Sequence, residues 1–224
     1  QSLKTIEKIE IEEIKNITLG EIAINYAEDG LYEKSLETVE KINNICDKSW
    51  VLREIAINYA KNGQKEKALK TFNKILKIAE RTENEKSKVE ILLDIYIGYT
   101  RAGMCDKALE TMENIYYKDY KYPPLIEIAI CYSKAGQNDK SLKLIDQFIE
   151  EVEKKEDEES KDFLLREQAI YIAESGLCNL YYKAFEITKK MKNENKSWAL
   201  EEIATAYAKA KLYDKAFEIA EDIN

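Results

Sequence analysis

Self-similarity constrains this chain more than any other feature. Five 17-residue segments are near copies of one another: EIAINYAEDGLYEKSLE (21–37), EIAINYAKNGQKEKALK (54–70), DIYIGYTRAGMCDKALE (94–110), EIAICYSKAGQNDKSLK (127–143) and EIATAYAKAKLYDKAFE (202–218). A sixth, EQAIYIAESGLCNLYYKAFE (167–186), fits with three extra residues after its glycine. A unit that recurs in this way cannot bury its apolar face alone. Successive copies must stack, and the core runs along the stack.

Each copy reads as two helices. The first carries apolar residues at helical spacing, as in Leu19, Ile22, Ala23 and Tyr26. A turn follows at Gly30, Gly63, Gly103, Gly136 and Gly176, with Lys211 in the last copy. Glycine suits a left-handed C-cap there, so Lys211 implies modest strain or a different turn. Small residues form one column on the first helices (Ala23, Ala56, Ala129, Ala169, Ala204) and another on the second (Ser35, Ala68, Ala108, Ser141, Ala184, Ala216). Side chains of this size let helix axes approach closely. Tyr96 breaks the first column. Composition agrees: with only two prolines and seven glycines, the chain lacks the turn residues that a sandwich or barrel needs.

The small residue, the tyrosine three places later (Tyr26, Tyr59, Tyr99, Tyr132, Tyr207), the turn glycine and the Ala/Ser of the second helix together resemble the tetratricopeptide repeat. Where that family often has Trp early in the first helix, this chain has Leu19, Leu52, Leu92, Leu125, Leu165 and Leu200, and the prolines that often end a repeat are missing. A related helical repeat such as the Sel1-like type shares the same architecture. The resemblance covers nearly the whole chain. It implies an all-α, right-handed α-solenoid of stacked antiparallel helix pairs, with about six units after an initial helix, and a role in protein–protein interaction.

The expected organisation is a single solenoid domain over 1–224, with a partial repeat at 1–16 and repeats at 17–47, 48–83, 84–120, 121–156, 157–194 and 195–224, as part of a longer chain. Turn glycines are spaced 33, 40, 33 and 40 residues apart, which points to duplication of a two-repeat block of 73 residues. The seven extra residues of each long unit are expected to be shared between two lengthened helices.

One polar column recurs on the first helices: Glu21, Glu54, Asp94, Glu127, Glu167 and Glu202. Three residues further on stand Ile24, Ile57, Ile97, Ile130, Ile170 and Thr205, on the same helix face. Alternating acid and isoleucine suit a concave groove for a protein or peptide segment that carries Lys/Arg and apolar anchors. Glu54, Asp94, Glu127 and Ile97 are the expected central contacts. The competing reading pairs each acid with a neighbouring repeat, and Arg53 and Arg166 stand beside two of them. Trp50, Phe163 and Trp198 open three of the first helices, as groove-edge anchors or inter-repeat packing, with Ser49 and Ser197 as N-caps before the tryptophans. The tyrosines of YYKDYKYPP (116–124) read as a loop packed on the next unit.

Several function classes drop out. Histidine is absent, which removes Ser-His-Asp triads and His-based zinc sites. No glycine pair has nucleotide-loop spacing. The net charge of −8 disfavours nucleic acid, and no apolar run reaches the ~18 residues of a membrane span. The four cysteines form no CxxC pair and read as reduced thiols in the cytoplasm. No catalytic residue, metal or cofactor is expected. The alternatives to a docking scaffold are a self-assembly module, with end-to-end association of copies through the exposed Phe217, Ala220 and Ile223, and a regulatory or targeting domain of a larger enzyme.

Overall fold

A computed structural model describes residues 12–113 and 122–223. All regular structure among them is helical. They fall into two compact units, Gln1–Tyr116 and Tyr117–Asn224. The stretch 1–11 and the tyrosines Tyr116, Tyr117 and Tyr120 lie outside the described residues.

In the first unit, helices α1 (Glu12–Glu28), α3 (Ile45–Lys61) and α5 (Glu85–Arg101) are the first helices of successive pairs, and α2 (Tyr32–Val39), α4 (Lys65–Arg81) and α6 (Cys105–Glu113) are the second. Each first helix packs on its own partner and on the next first helix, so the pairs stack in chain order. The second unit repeats this with α7 (Tyr122–Lys134), α9 (Glu158–Glu174) and α11 (Asn193–Lys209) as first helices, and α8 (Asn138–Glu153), α10 (Tyr181–Thr188) and α12 (Tyr213–Glu221) as second.

The turn chemistry explains why each pair forms. All five turn glycines have positive φ, from 70° to 76°. At the first turn, the amide of Gly30 donates to Ala27 O and that of Leu31 to Tyr26 O, which satisfies the last carbonyls of α1. Lys211 adopts φ 63° and keeps the same pattern, its amide donating to Ala208 O and that of Leu212 to Tyr207 O. The turn is thus unchanged, and a side chain bears the left-handed strain.

The two small columns are the seams of the stack. Ala23, Ala56, Ala129 and Ala169, and on the second helices Ser35, Ala68, Ala108, Ser141 and Ala184, are fully buried. Where Tyr96 replaces alanine, it too is buried. Two residues on, Gly98 takes the closest approach: a Cβ there would stand 2.4 Å from Phe72 Cε1 and 2.9 Å from Arg53 Cγ. Aromatic pairs tie three second helices to the first helix that follows, with Tyr32 on Tyr59 at 4.0 Å and Phe72 on Tyr99 at 4.4 Å in unit one, and Tyr181 on Tyr207 at 4.3 Å in unit two.

The sharing of extra residues between two helices is corrected. The first helices α1, α3, α5, α9 and α11 are all 17 residues long. The second helices differ: α2 and α10 have 8 residues, and α4 and α8 have 17 and 16. From α2 to α4 the helix gains nine residues while the connection after it falls from five (40–44) to three (82–84), a net of seven. A first helix must hold its register against two neighbours, whereas the far end of a second helix can lengthen without disturbing the seam.

Ser49 and Ser197 are not N-caps. Each is the fifth residue of its helix. Asn44 caps α3, accepting from the amides of Cys46 and Asp47. Cys46 and Cys178 are free thiols, as expected.

Candidate functional site

One stripe of the first helices carries a repeating chemical pattern. Trp50, Phe163 and Trp198 are each the sixth residue of α3, α9 and α11. An acid follows each at i+4 (Glu54, Glu167, Glu202), and Ile57, Ile170 or Thr205 follows at i+7. This spacing puts all three on one stripe of each helix. The aromatics are 37%, 50% and 52% exposed, so they are not spent on inter-repeat packing alone.

In unit one the acids are drawn together by Arg53, which is buried. Its Nε and Nη2 donate to Glu54 Oε1 at 3.0 and 2.8 Å, and its Nη1 donates to Asp94 Oδ1 on the next first helix. Ser49 Oγ donates to the other Asp94 oxygen at 2.6 Å, and Arg101 approaches Glu54 at 3.7 Å. Burial lifts the Asp94 carboxyl above its ordinary range, while Ser49 and Arg53 pull it down and Glu54 pushes it up. Glu54 and Asp94 therefore clamp α3 to α5 through a shared guanidinium. Glu21, on α1, is exposed, Ile97 is half-buried and Ile57 is buried.

Unit two carries a variant of the same device. Arg166 Nε and Nη2 donate to Glu167 Oε1 at 3.2 and 3.0 Å, and Nη1 donates to Asn195 Oδ1 of α11 at 2.9 Å. The guanidinium also lies between two rings, 5.0 Å from the centroid of Phe163 and 4.3 Å from that of Trp198. Glu167 is exposed, Glu202 and Glu127 are half-buried, and Ile130 is buried. Burial raises the Glu127 carboxyl, with Lys134 acting against it. The structure brings Glu54 together with Asp94 through Arg53, whereas Glu167 is held by the arginine next to it in its own helix.

Two kinds of contact went unread in the sequence. Ser49 is a hydrogen-bond donor to Asp94, and no spacing rule marks a serine 45 residues from its partner. Asp162, on α9, accepts from the amide of Lys192 at 3.1 Å, and Asn16, on α1, accepts from that of Asn43 at 3.3 Å. Each polar side chain thus pins the connection that leads to the next pair. The arginine three places ahead of the small column, by contrast, was legible: only Arg53 and Arg166 occupy the place before the acid. Among the described residues there is no cluster of His, Cys, Asp and Glu able to hold a metal ion, and no helix is long and apolar enough to cross a membrane.

A family model described as PPR repeat matches residues 58–78, the end of α3 and most of α4. No curated protein matches. Among solved structures, a putative kinesin light chain from Podosopora anserina with nearly identical TPR-like repeats is similar at 17% identity over 81% of this chain and 95% of that one, with a TM-score of 0.42. A second structure of that protein, carrying one substitution, gives 20% identity over 77% and 91%, with a TM-score of 0.41. Ton1535 from Thermococcus onnurineus NA1 gives 15% identity over 99% and 90%, with a TM-score of 0.41. Within each unit the helix pairs stack in chain order, and part of the α3–α4 pair matches a PPR repeat.

Proposed function

We propose that the chain is a non-catalytic protein-interaction scaffold that docks a basic, partly apolar segment of a partner protein on its first-helix faces. The observation that carries this reading is the pairing of an aromatic and an acid at i and i+4 on each of α3, α9 and α11, with the aromatic residues a third to a half exposed. Half-exposed aromatics on a rigid helix provide contact area at little entropic cost. Acids beside them select a cationic partner and oppose a phosphate backbone, in keeping with the net charge of −8. The acids divide in role. Glu54 and Asp94 hold the groove's shape through Arg53, while Glu21, Glu167, Glu202 and the half-buried Glu127 and Ile97 supply contacts.

The test is a triple charge reversal, Glu21→Lys, Glu167→Lys and Glu202→Lys, which spares the Arg53 clamp. A partner captured by the wild-type chain should be lost by the variant at unchanged helicity. Equal capture by both sinks the reading.

A further inference from the structure

Helix α4 differs from every other second helix in its charge. It carries five lysines and one arginine against two glutamates, whereas α2, α6, α8 and α12 each carry more acids than cations and α10 carries one of each. Four of the cations, Lys70, Lys74, Lys77 and Arg81, stand at i, i+4, i+7 and i+11, so they form one exposed stripe about 16 Å long. Among the described residues none of the four makes an ion pair or a hydrogen bond. In unit two, by contrast, Lys183, Lys190 and Lys192 each lie within 2.8 Å of a carboxylate.

Stacking does not account for this stripe. In the 33-residue register of the first two copies, α2 stops at the place of Phe72, so Lys74, Lys77 and Arg81 lie on the nine residues by which α4 is longer. The duplicated helix α8 packs on its own first helix as α4 does, yet it has Gln147 and Glu150 where α4 has Lys74 and Lys77, and Asp146 in place of Asn73. Like charges one turn apart repel, so the stripe gives the fold nothing in return for its charge. We propose that this face of α4 docks an acidic segment of a partner protein, whose carboxylates meet successive cations along the stripe. A protein segment fits better than a longer polyanion. The stripe is short, and the exposed Glu66 and Glu80 flank it on the same helix. A phosphate backbone or an anionic bilayer, charged along its whole extent, meets these acids as well as the cations. The surface is separate from the first-helix stripe and takes the opposite charge, so it goes beyond the scaffold reading.

The test is an amide chemical-shift titration of the full, isotope-labelled chain with four probes: a short blocked peptide of alternating Asp and Glu, its Asn/Gln isostere, oligothymidylate of the same length, and phosphatidylserine vesicles. The acidic peptide should move the amides of 66–81 saturably and more weakly as salt is raised, and the isostere should not move them. Lys74→Gln and Lys77→Gln, both on exposed side chains, should each weaken the acidic peptide roughly two- to five-fold, the range of one exposed ion pair. Lys143→Gln, at the place on α8 that matches Lys70, should leave it unchanged. An equal response to the isostere, shifts spread over the lysines of other helices, or an equal loss in Lys143→Gln overturns the assignment. So does tighter binding of the oligothymidylate or the vesicles to this face. The charge-reversal test on Glu21, Glu167 and Glu202 touches no residue of α4, so either surface can fail while the other stands.

Discussion

Removing the Arg53 guanidinium while keeping its stem is the sharpest probe of the clamp between α3 and α5. In Arg53→Met the aliphatic part still packs against Gly98, but Glu54 and Asp94 face each other without the shared cation. Leaving a buried charge unpaired costs about 3–5 kcal/mol. Here the side chains of Asp94 and Glu54 retain 16% and 25% exposure and Arg101 stays near Glu54, so partial rehydration reduces the loss to about 2–3 kcal/mol at neutral pH.

The loss must depend on pH. Burial already raises the Asp94 carboxyl above its unfolded value, and losing Arg53 raises it further. A carboxyl whose folded pKa exceeds its unfolded pKa weakens the fold as pH rises through the folded value. The Met variant should therefore come closest to the wild type at about pH 4, where an unfolded aspartate takes up its proton, and fall furthest behind it at neutral pH. Denaturant unfolding followed by Trp50 fluorescence, in a Trp198→Phe background, reads the first unit directly. Adding Asp94→Asn to the Met variant should recover about 1 kcal/mol at neutral pH. A loss under about 0.5 kcal/mol, or the same loss at both pH values, would mean that the triad is worth no more than a surface ion pair.

Two further substitutions separate features that look alike in the sequence. Ser35 Oγ donates to Ala23 O at 2.6 Å, whereas the fully buried Ser141 Oγ at the same repeat place has no hydrogen-bond partner. Ser35→Ala should cost about 1 kcal/mol in thermal or denaturant unfolding, and Ser141→Ala should be neutral or stabilising, since four copies already carry alanine there. Lys211→Gly should stabilise by about 1 kcal/mol, because it relieves a left-handed residue that the other five turns assign to glycine; hydrogen exchange at the α11–α12 turn checks it, and faster exchange than in the wild type would refute it.

Pair count, turn positions and the buried columns were all legible, because each follows from local backbone chemistry repeated in register. Gly30 and its counterparts mark positive φ, and the Ala/Ser columns mark seams, whatever surrounds them. The placement of the extra residues was not legible. Helical periodicity continues smoothly through 65–101, and only packing decides that α4 rather than α5 grows. The roles of the acids were legible in part: Arg53 and Arg166 mark Glu54 and Glu167 for pairing, and Gly20 leaves Glu21 without such a neighbour. What the column does not show is that Arg53 reaches Asp94 on the next first helix while Arg166 reaches Asn195.

That contrast shows where function is to be sought in such a chain. Duplication copies every position regardless of use, so a column that recurs in all six units carries the requirements of stacking first and of binding only incidentally. The stacking tyrosines and turn glycines illustrate this, since they recur almost without exception and are consumed by the fold. Trp50, Phe163 and Trp198, with Arg53 and Arg166, do not recur in every unit, yet they stand on the first-helix faces and leave three rings open to solvent. Part of each aromatic is used within the fold, Phe163 and Trp198 by holding Arg166 between them and Trp50 by standing against Gly20; under the proposed scaffold function, their remaining open surface is what a partner would cover.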